Sequence, residues 1–186
     1  EFPVIRPANY PLEGVPGRGY QVVEDSAGHK ILVINLMGRV FIKKHFDCPF
    51  RALDRILKEN ANRKLSAIFV DFHAEATSEK YAFGFYADGR VSAVIGTHTH
   101  VPTADFRILD GGTAFMSDAG MTGSLDSVIG VKKDLMIPSF ITQLPVKHQP
   151  ETKGKMVFNG VLIELDEKTK KALNVSHIQE IISSIP

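Results

Sequence analysis

Ala67-Ile68-Phe69-Val70-Asp71-Phe72-His73 specifies the fold of this chain together with a second run, Val91 to Ile95, which leads into Gly96-Thr97-His98-Thr99-His100. Each run is a short and almost continuous apolar segment, which is typical of a β-strand buried on both faces. Between the two runs, Thr77-Ser78-Glu79 can start a helix that Asp88-Gly89 then stops. The sequence therefore predicts a strand–helix–strand unit with two parallel strands.

Three histidines stand where these two predicted strands end, namely His73 after the first strand and His98 and His100 after the second. Because the carboxyl ends of parallel strands meet at one edge of a sheet, we expect the three imidazoles to converge. If the backbone stays extended, His98 and His100 point to the same side. Neutral imidazole is a good ligand for zinc, manganese and iron, so the pattern favours a metal site. The alternative is that His73 is a strand-end histidine bonded to backbone, while His98 and His100 only cap a loop. For a single histidine such a structural role is the usual one. Carboxylates close in sequence are Asp71, Glu75 and Asp105.

Other polar groups could support such a site. Thr97 and Thr99 stand beside the histidines, and their hydroxyls could orient metal ligands. In the segment Asp118–Gly123, Gly120 and Thr122 could offer a backbone N–H group and a hydroxyl to a phosphate. An ordinary tight turn explains that segment equally well.

Composition bounds the class of protein. A chain of 186 residues with 44% hydrophobic residues is long enough for one core, so we expect a single domain over residues 1–186. A net charge of +1 gives no strong signal for nucleic acid or membrane binding. Cys48 is the only cysteine, which excludes an intrachain disulfide and fits the cytoplasm. The chain starts at Glu1 and not at methionine, and we expect it to lack its true N-terminus.

The remaining segments predict a layered α/β domain. Apolar residues at helical spacing follow Pro49, and Asp47 could cap this helix. Pro138 should shorten or kink a helical segment over 135–144. The other predicted elements are a hairpin over 20–24 and 30–36, a strand over 113–117, and a closing hairpin over 157–165 and 173–182.

The chain resembles the YmdB-like family of bacterial calcineurin-type metallophosphoesterases. The segments that carry the resemblance are Asp71 to Lys80, Gly96 to Val101, Thr103 to Asp105, Arg6 to Asn9, and Asp118 to Gly123. The resemblance implies a four-layer α/β sandwich with two divalent metal ions (manganese, iron or zinc) at the carboxyl edges of its sheets. It also implies hydrolysis of a small phosphodiester, with cyclic nucleotides as the usual proposed substrates. His73 and His98 would ligate one ion and His100 the other.

The chain departs from the family in its first part. The family's first ligands are an Asp after the first strand and a Glu-Asn pair next to a strand, and neither is recognisable here, since Glu59-Asn60 ends a predicted helix. The Gly-Asn-His that supplies the general-acid histidine is also not found in this sequence. We therefore expect the C-terminal portion of the family domain, without a catalytic residue of its own. Two alternatives stay open, namely another dinuclear metallohydrolase of the nucleotidase or phosphatase type and a non-catalytic regulatory module. Assembly into a homo-oligomer is also left open.

Overall fold

The computed structural model describes residues 4–11 and 14–183 of the chain. Within these ranges helices alternate with strands in the first part, and a long hairpin closes the chain. The elements are β1 (Tyr20–Glu24), β2 (Lys30–Met37), α1 (Pro49–Glu59), β3 (Ala67–His73), α2 (Thr77–Ala87), β4 (Ala93–Thr97), β5 (Arg107–Ile108), β6 (Ala114–Met116), β7 (Gly123–Ser124), α3 (Lys133–Thr142), β8 (Met156–Leu165) and β9 (Ala172–Ile182).

The larger sheet has six strands in the order β1-β2-β3-β4-β6-β5. Strands β2, β3, β4 and β6 are parallel to one another, whereas β1 and β5 pair antiparallel at the two edges. The predicted strand–helix–strand unit is confirmed, since α2 connects β3 to β4. This parallel connection brings the carboxyl ends of β2, β3 and β4 to the same edge of the sheet.

One face of this sheet carries the main hydrophobic core with α1 and α2. Leu32, Ile34 and Leu36 alternate along β2 and are fully buried against the helices. Phe72 of β3 stacks on Phe83 of α2, with ring centroids 4.2 Å apart. These contacts fix α2 over β3 and β4, so the first residues of α2 lie near the strand ends that carry the histidines.

The opposite face of the larger sheet packs against a second sheet, with strand order β7-β8-β9. Ala93 and Ala114 of the larger sheet contact Ala172 and Val175 of β9. The predicted closing hairpin is confirmed, because β8 and β9 pair antiparallel over nearly their full length. The described residues therefore form a mixed α/β structure in which helices α1 and α2 and the second sheet cover opposite faces of the larger sheet.

Three local expectations are corrected. Strand β4 runs from Ala93 to Thr97, two residues later than the predicted run over 91–95. Asp47 does not cap α1, because the capping position is Cys48 and no side-chain hydrogen bond is made there. The helix around Pro138 starts earlier than predicted, at Lys133, and none of its side chains is buried. Among the described residues, every helix is too short or too polar to cross a bilayer.

Candidate metal centre

The candidate site lies at the carboxyl edge of the parallel strands. Met37, His73 and Thr97 are neighbours in register at the ends of β2, β3 and β4. The chain leaves the sheet directly after each of them, and Gly38 N donates a hydrogen bond to His73 O at 2.8 Å. Loops that follow these strands therefore start side by side, which is where open α/β sheets place their ligands.

The structure brings two of the three predicted histidines into direct contact. His73 Nε2 and His98 Nδ1 are 3.1 Å apart, and the two rings meet edge to face with centroids 5.0 Å apart. Both side chains are half-buried. The contact depends on the parallel pairing of β3 and β4, because an antiparallel pairing would put these strand ends on opposite edges.

A hydrogen-bond network behind His73 fixes which nitrogen carries its proton. Asn35 Nδ2 donates to Asp71 Oδ2 at 2.6 Å, and the Thr97 hydroxyl donates to Asp71 Oδ1 at 3.1 Å. Since Thr97 gives its only hydrogen to Asp71, its oxygen accepts from His73 Nδ1, 3.1 Å away. The proton of neutral His73 therefore sits on Nδ1, and the lone pair of Nε2 faces His98.

Burial lowers the pKa of His73 below its ordinary value, and the neighbouring charge of His98 lowers this pKa further. The neutral form of His73 is therefore favoured at neutral pH. A metal ion binds a neutral imidazole through the unprotonated nitrogen. A hydrogen-bond partner on the protonated nitrogen fixes the tautomer and the orientation of the ring.

The separation of the two nitrogens fits a shared ion. Imidazole nitrogens lie about 2.0–2.1 Å from a bound zinc ion, so two of them on one ion are roughly 2.8–3.4 Å apart. The observed 3.1 Å between His73 Nε2 and His98 Nδ1 lies within that range. The donor chemistry of this pair therefore fits a divalent ion of the imidazole-binding kind.

His100 is not part of this contact. Its Nδ1 lies 2.9 Å from the carbonyl oxygen of Ile129, to which it donates, so its Nε2 carries the lone pair. The side chain is exposed, and its tautomer is again the one that ligates through Nε2. Over residues 4–11 and 14–183, no group of three or more His, Cys, Asp or Glu side chains is arranged to hold an ion. The expected convergence thus holds for His73 and His98, and a ligand role of His100 stays a prediction.

The backbone after β4 is not extended, which corrects the expectation for His98 and His100. Strand β4 ends at Thr97, and φ is +136° at His98 and +65° at His100. Both values fall where residues with a side chain are rare and strained. The two histidines therefore leave a tight loop and not the two-residue repeat of a strand.

The remaining predicted side chains have other partners. Gly120 N donates to Asp118 Oδ1 at 3.0 Å, so this N–H group is not free for a phosphate. The Thr99 hydroxyl donates to Val101 O at 2.7 Å and does not contact a histidine. Thr122 is exposed, and its contact with phosphate stays a prediction.

The three carboxylates that stand close to the histidines in sequence have different surroundings. Asp71 supports His73 through Thr97, but Asp105 does not face the histidines. Asp105 Oδ1 instead accepts from the Thr103 hydroxyl at 2.7 Å and from Ser117 N at 3.1 Å. Glu75 is exposed.

Sequence reasoning named the segment that starts at Asp118 but missed the pairing of Asp118 with Lys80 beside the site. Lys80 and Asp118 form a buried ion pair, with Nζ and Oδ2 2.9 Å apart. Burial opposes ionisation of Asp118, but hydrogen bonds from Thr99 N–H and from the Lys80 ammonium group outweigh it and lower the pKa of the carboxyl. A lysine in the first turns of an amphipathic helix usually reaches solvent, so nothing in the local sequence indicated its burial.

The fold and the histidine pair together define a layered α/β protein with two facing imidazoles at the carboxyl edge of its parallel strands. Residues 1–178 match the family described as YmdB-like protein. A Bacillus subtilis (strain 168) protein named 2',3'-cyclic-nucleotide 2'-phosphodiesterase is 49% identical over 175 residues, which is 94% of this chain. The chain therefore belongs to the YmdB-like family.

Two solved structures share this fold. A hypothetical protein from Thermus thermophilus superimposes with a TM-score of 0.87 and 40% identity, over 97% of this chain and 68% of that one. A novel phosphatase from Mycoplasma pneumoniae gives a TM-score of 0.85 and 35% identity, over 96% of this chain and 64% of that one. The chain spans 64% of the length of the Bacillus subtilis relative.

Proposed function

We propose that this chain carries part of the metal centre of a metal-dependent phosphodiesterase that acts on cyclic nucleotides. The observation that carries the proposal is the 3.1 Å approach of His73 Nε2 to His98 Nδ1 at the strand ends. Family membership and the name of the Bacillus subtilis relative support the reaction and the substrate class.

Residues of this chain would supply the imidazole ligands. His73 Nε2 and His98 Nδ1 would hold one divalent ion, and His100 Nε2 would serve a second, with manganese, iron or zinc as the ions of choice. When bound, such ions neutralise charge on phosphoryl oxygens and make a water more acidic. Thr97 and Asp71 would keep His73 in the ligating tautomer throughout turnover.

The test is hydrolysis of a 2',3'-cyclic nucleotide with saturating Mn²⁺, measured for this chain and for a longer version that includes any sequence preceding Glu1. We expect the longer version to be the active one, because the facing pair alone offers two ligands. His73→Ala and His98→Ala should each lower its turnover at least about 100-fold, since metal-ion catalysis contributes several kcal/mol to transition-state stabilisation.

His29→Ala is the matched control. His29 precedes β2 at the amino edge of the parallel strands, away from the strand ends that form the site, and its side chain is 50% exposed. The His29→Ala variant should leave turnover unchanged. Near-normal activity of the His73 and His98 variants, with the fold checked by circular dichroism, would show that these histidines are structural and that the proposed reaction is wrong.

A further inference from the structure

A buried ion pair connects α2 to the segment that follows β6. Lys80 Nζ lies 2.9 Å from Asp118 Oδ2, and the two side chains are only 3% and 1% exposed. Replacing a buried ion pair with well-packed apolar residues is often neutral or stabilising, because removing two charges from water costs about as much as their attraction returns. Stability alone therefore does not explain why this pair is here.

The carboxylate of Asp118 is also the anchor of the histidine loop, the segment from His98 to His100. Asp118 Oδ2 accepts a hydrogen bond from Thr99 N at 2.8 Å, and Oδ1 accepts one from Gly120 N at 3.0 Å. Thr99 stands between His98 and His100. The carboxylate thus holds this loop at its midpoint, and the Lys80 ammonium group supplies the charge that allows a carboxylate to be buried there.

The loop needs such an anchor, because its backbone is strained on both sides of Thr99. The φ angles of +136° at His98 and +65° at His100 persist only where the surrounding structure holds them. Two further backbone bonds fasten the ends of the loop to the same segment, from Ala119 N to Gly96 O at 2.9 Å and from Met121 N to His100 O at 3.0 Å. At the centre of the loop, the hydrogen bond from Thr99 N to Asp118 Oδ2 is the attachment that the structure describes.

We propose that the Asp118 carboxylate, whose charge Lys80 balances, is a positioning group for the metal centre. The carboxylate holds Thr99 N so that His98 Nδ1 faces His73 Nε2 before any ion binds. The inference rests on the proposed metal centre for its purpose, but the positioning itself is a property of the metal-free chain. Asp118 acts through the backbone of the histidine loop, by accepting from Thr99 N, and Lys80 acts through Asp118.

Two double variants separate positioning from stability. In the first, Lys80→Met is combined with Asp118→Leu, which removes both charges and every acceptor for Thr99 N. In the second, Lys80→Met is combined with Asp118→Asn, which removes both charges but keeps a carbonyl oxygen that can accept from Thr99 N. If the ion pair serves stability only, the two variants should behave alike.

The first measurement is made without metal, by NMR on the isotope-labelled chain. We expect amide hydrogen exchange at Thr99 to become at least about tenfold faster in the leucine variant. In the same variant, the nuclear Overhauser effect between the rings of His73 and His98 should weaken. In the asparagine variant both signals should stay close to those of the unaltered chain. Unchanged exchange at Thr99 in the leucine variant, or equal changes in both variants, would overturn the proposal.

The second measurement is a titration with Mn²⁺, followed by paramagnetic broadening of the ring signals of His73 and His98. The affinity of the leucine variant should fall by about tenfold or more, as is usual when a group that orients a metal ligand is lost. The asparagine variant should retain most of the affinity. If the unaltered chain itself shows no broadening at these rings, the proposed metal centre is wrong, whereas the exchange data still decide whether Asp118 positions the loop.

Glu79→Gln is the matched control. Glu79 is the neighbouring buried carboxylate on α2, and it accepts from Arg39 N at 2.9 Å and from Val40 N at 3.1 Å, outside the histidine loop. This variant should leave Thr99 exchange and Mn²⁺ binding unchanged. If it shifts both as much as the leucine variant does, the effect is a general loss of stability and the proposal fails.

The proposal can still be tested if the leucine variant does not fold. If circular dichroism shows that the leucine variant is unfolded, the asparagine variant still carries only one acceptor oxygen for two N–H groups. Its single carbonyl oxygen should keep Thr99 N bonded, so Thr99 should stay protected while Gly120 exchanges about tenfold faster than in the unaltered chain. If Gly120 is unchanged, or if Thr99 also exchanges about tenfold faster, Asp118 does not anchor this loop as described and the proposal is overturned.

Discussion

At the scale of single residues, His73 shows how neighbours set the charge and the tautomer of a side chain, which the proposed metal centre requires. Burial favours its neutral form by lowering its pKa, and the Thr97 hydroxyl, itself bonded to Asp71, assigns the proton to Nδ1. Charge and tautomer are thus both set before an ion arrives. Loss of such a second partner of a metal-binding histidine typically lowers metal affinity by about 10- to 100-fold.

Replacing Thr97 with valine tests this arrangement. Thr97→Val keeps the shape of the side chain but removes the acceptor for His73 Nδ1, so we expect the proton to distribute over both ring nitrogens. The tautomer is read from the ¹⁵N shifts of the imidazole ring, and Mn²⁺ affinity should fall by about tenfold. Thr97→Ser keeps the hydroxyl and should behave like the unaltered chain. A valine variant with an unchanged tautomer would contradict the role given to Thr97.

At the scale of elements, the close approach of β4 to the segment after β6 brings the histidine loop next to its anchor. A Cβ atom added at Gly96 would lie 1.9 Å from the carbonyl oxygen of Ser117, a contact that no side chain can make. Only glycine lets these two segments lie so close. The spacing between Thr99 and Asp118 therefore depends on a residue that carries no functional group.

Gly96→Ala should consequently be severe. The clash is with backbone, which cannot rotate away, so the free energy of unfolding should fall by about 3 kcal/mol or more, the upper end of overpacking costs. Gly123→Ala is the control, because its nearest neighbour would be Met121 Sδ at 3.7 Å, an ordinary contact. Chemical denaturation of both variants measures the difference. Equal stabilities would show that the two segments are not packed as described.

Helix α3 illustrates the opposite case, an element with little tertiary support. None of its residues is buried, whereas α1 buries Pro49, Ala52, Leu53 and Ile56. Isolated helices of about ten residues are marginal in water. We expect the amides of α3 to exchange at least about tenfold faster than those of α1 in a hydrogen-exchange experiment. Equal protection in the two helices would mean that α3 is covered in solution.

At the scale of the whole molecule, the number of candidate ligands limits how much metal we expect the chain to hold. His73 and His98 face each other, but no larger group of candidate ligands occurs in the part of the chain that the structure describes. We expect the chain on its own to bind at most one Mn²⁺ ion at this edge, and weakly. Isothermal titration calorimetry gives the stoichiometry, and His98→Ala should abolish the binding. Tight binding of two ions would show that further ligands of this chain take part.

Much of the architecture could be predicted, because it rests on patterns that are local in sequence. The apolar runs before His73 and His98, with helical signals between them, indicated the parallel β3–α2–β4 unit. The alternating segments at the end of the chain indicated the β8–β9 hairpin. Exact bounds were less predictable, as with β4, since the ends of strands depend on pairing with neighbours.

The three histidines and their place at the strand ends follow from the sequence alone, because residue type and hydrophobic period can be read without knowing any distant contact. The way in which these histidines are held follows from tertiary contacts. The strained backbone at His98 and His100, the tautomer of His73 and the buried pair of Lys80 and Asp118 all depend on atoms far apart in sequence. No local pattern encodes such contacts, since the strain at one residue is offset by hydrogen bonds that exist only once distant segments have packed together.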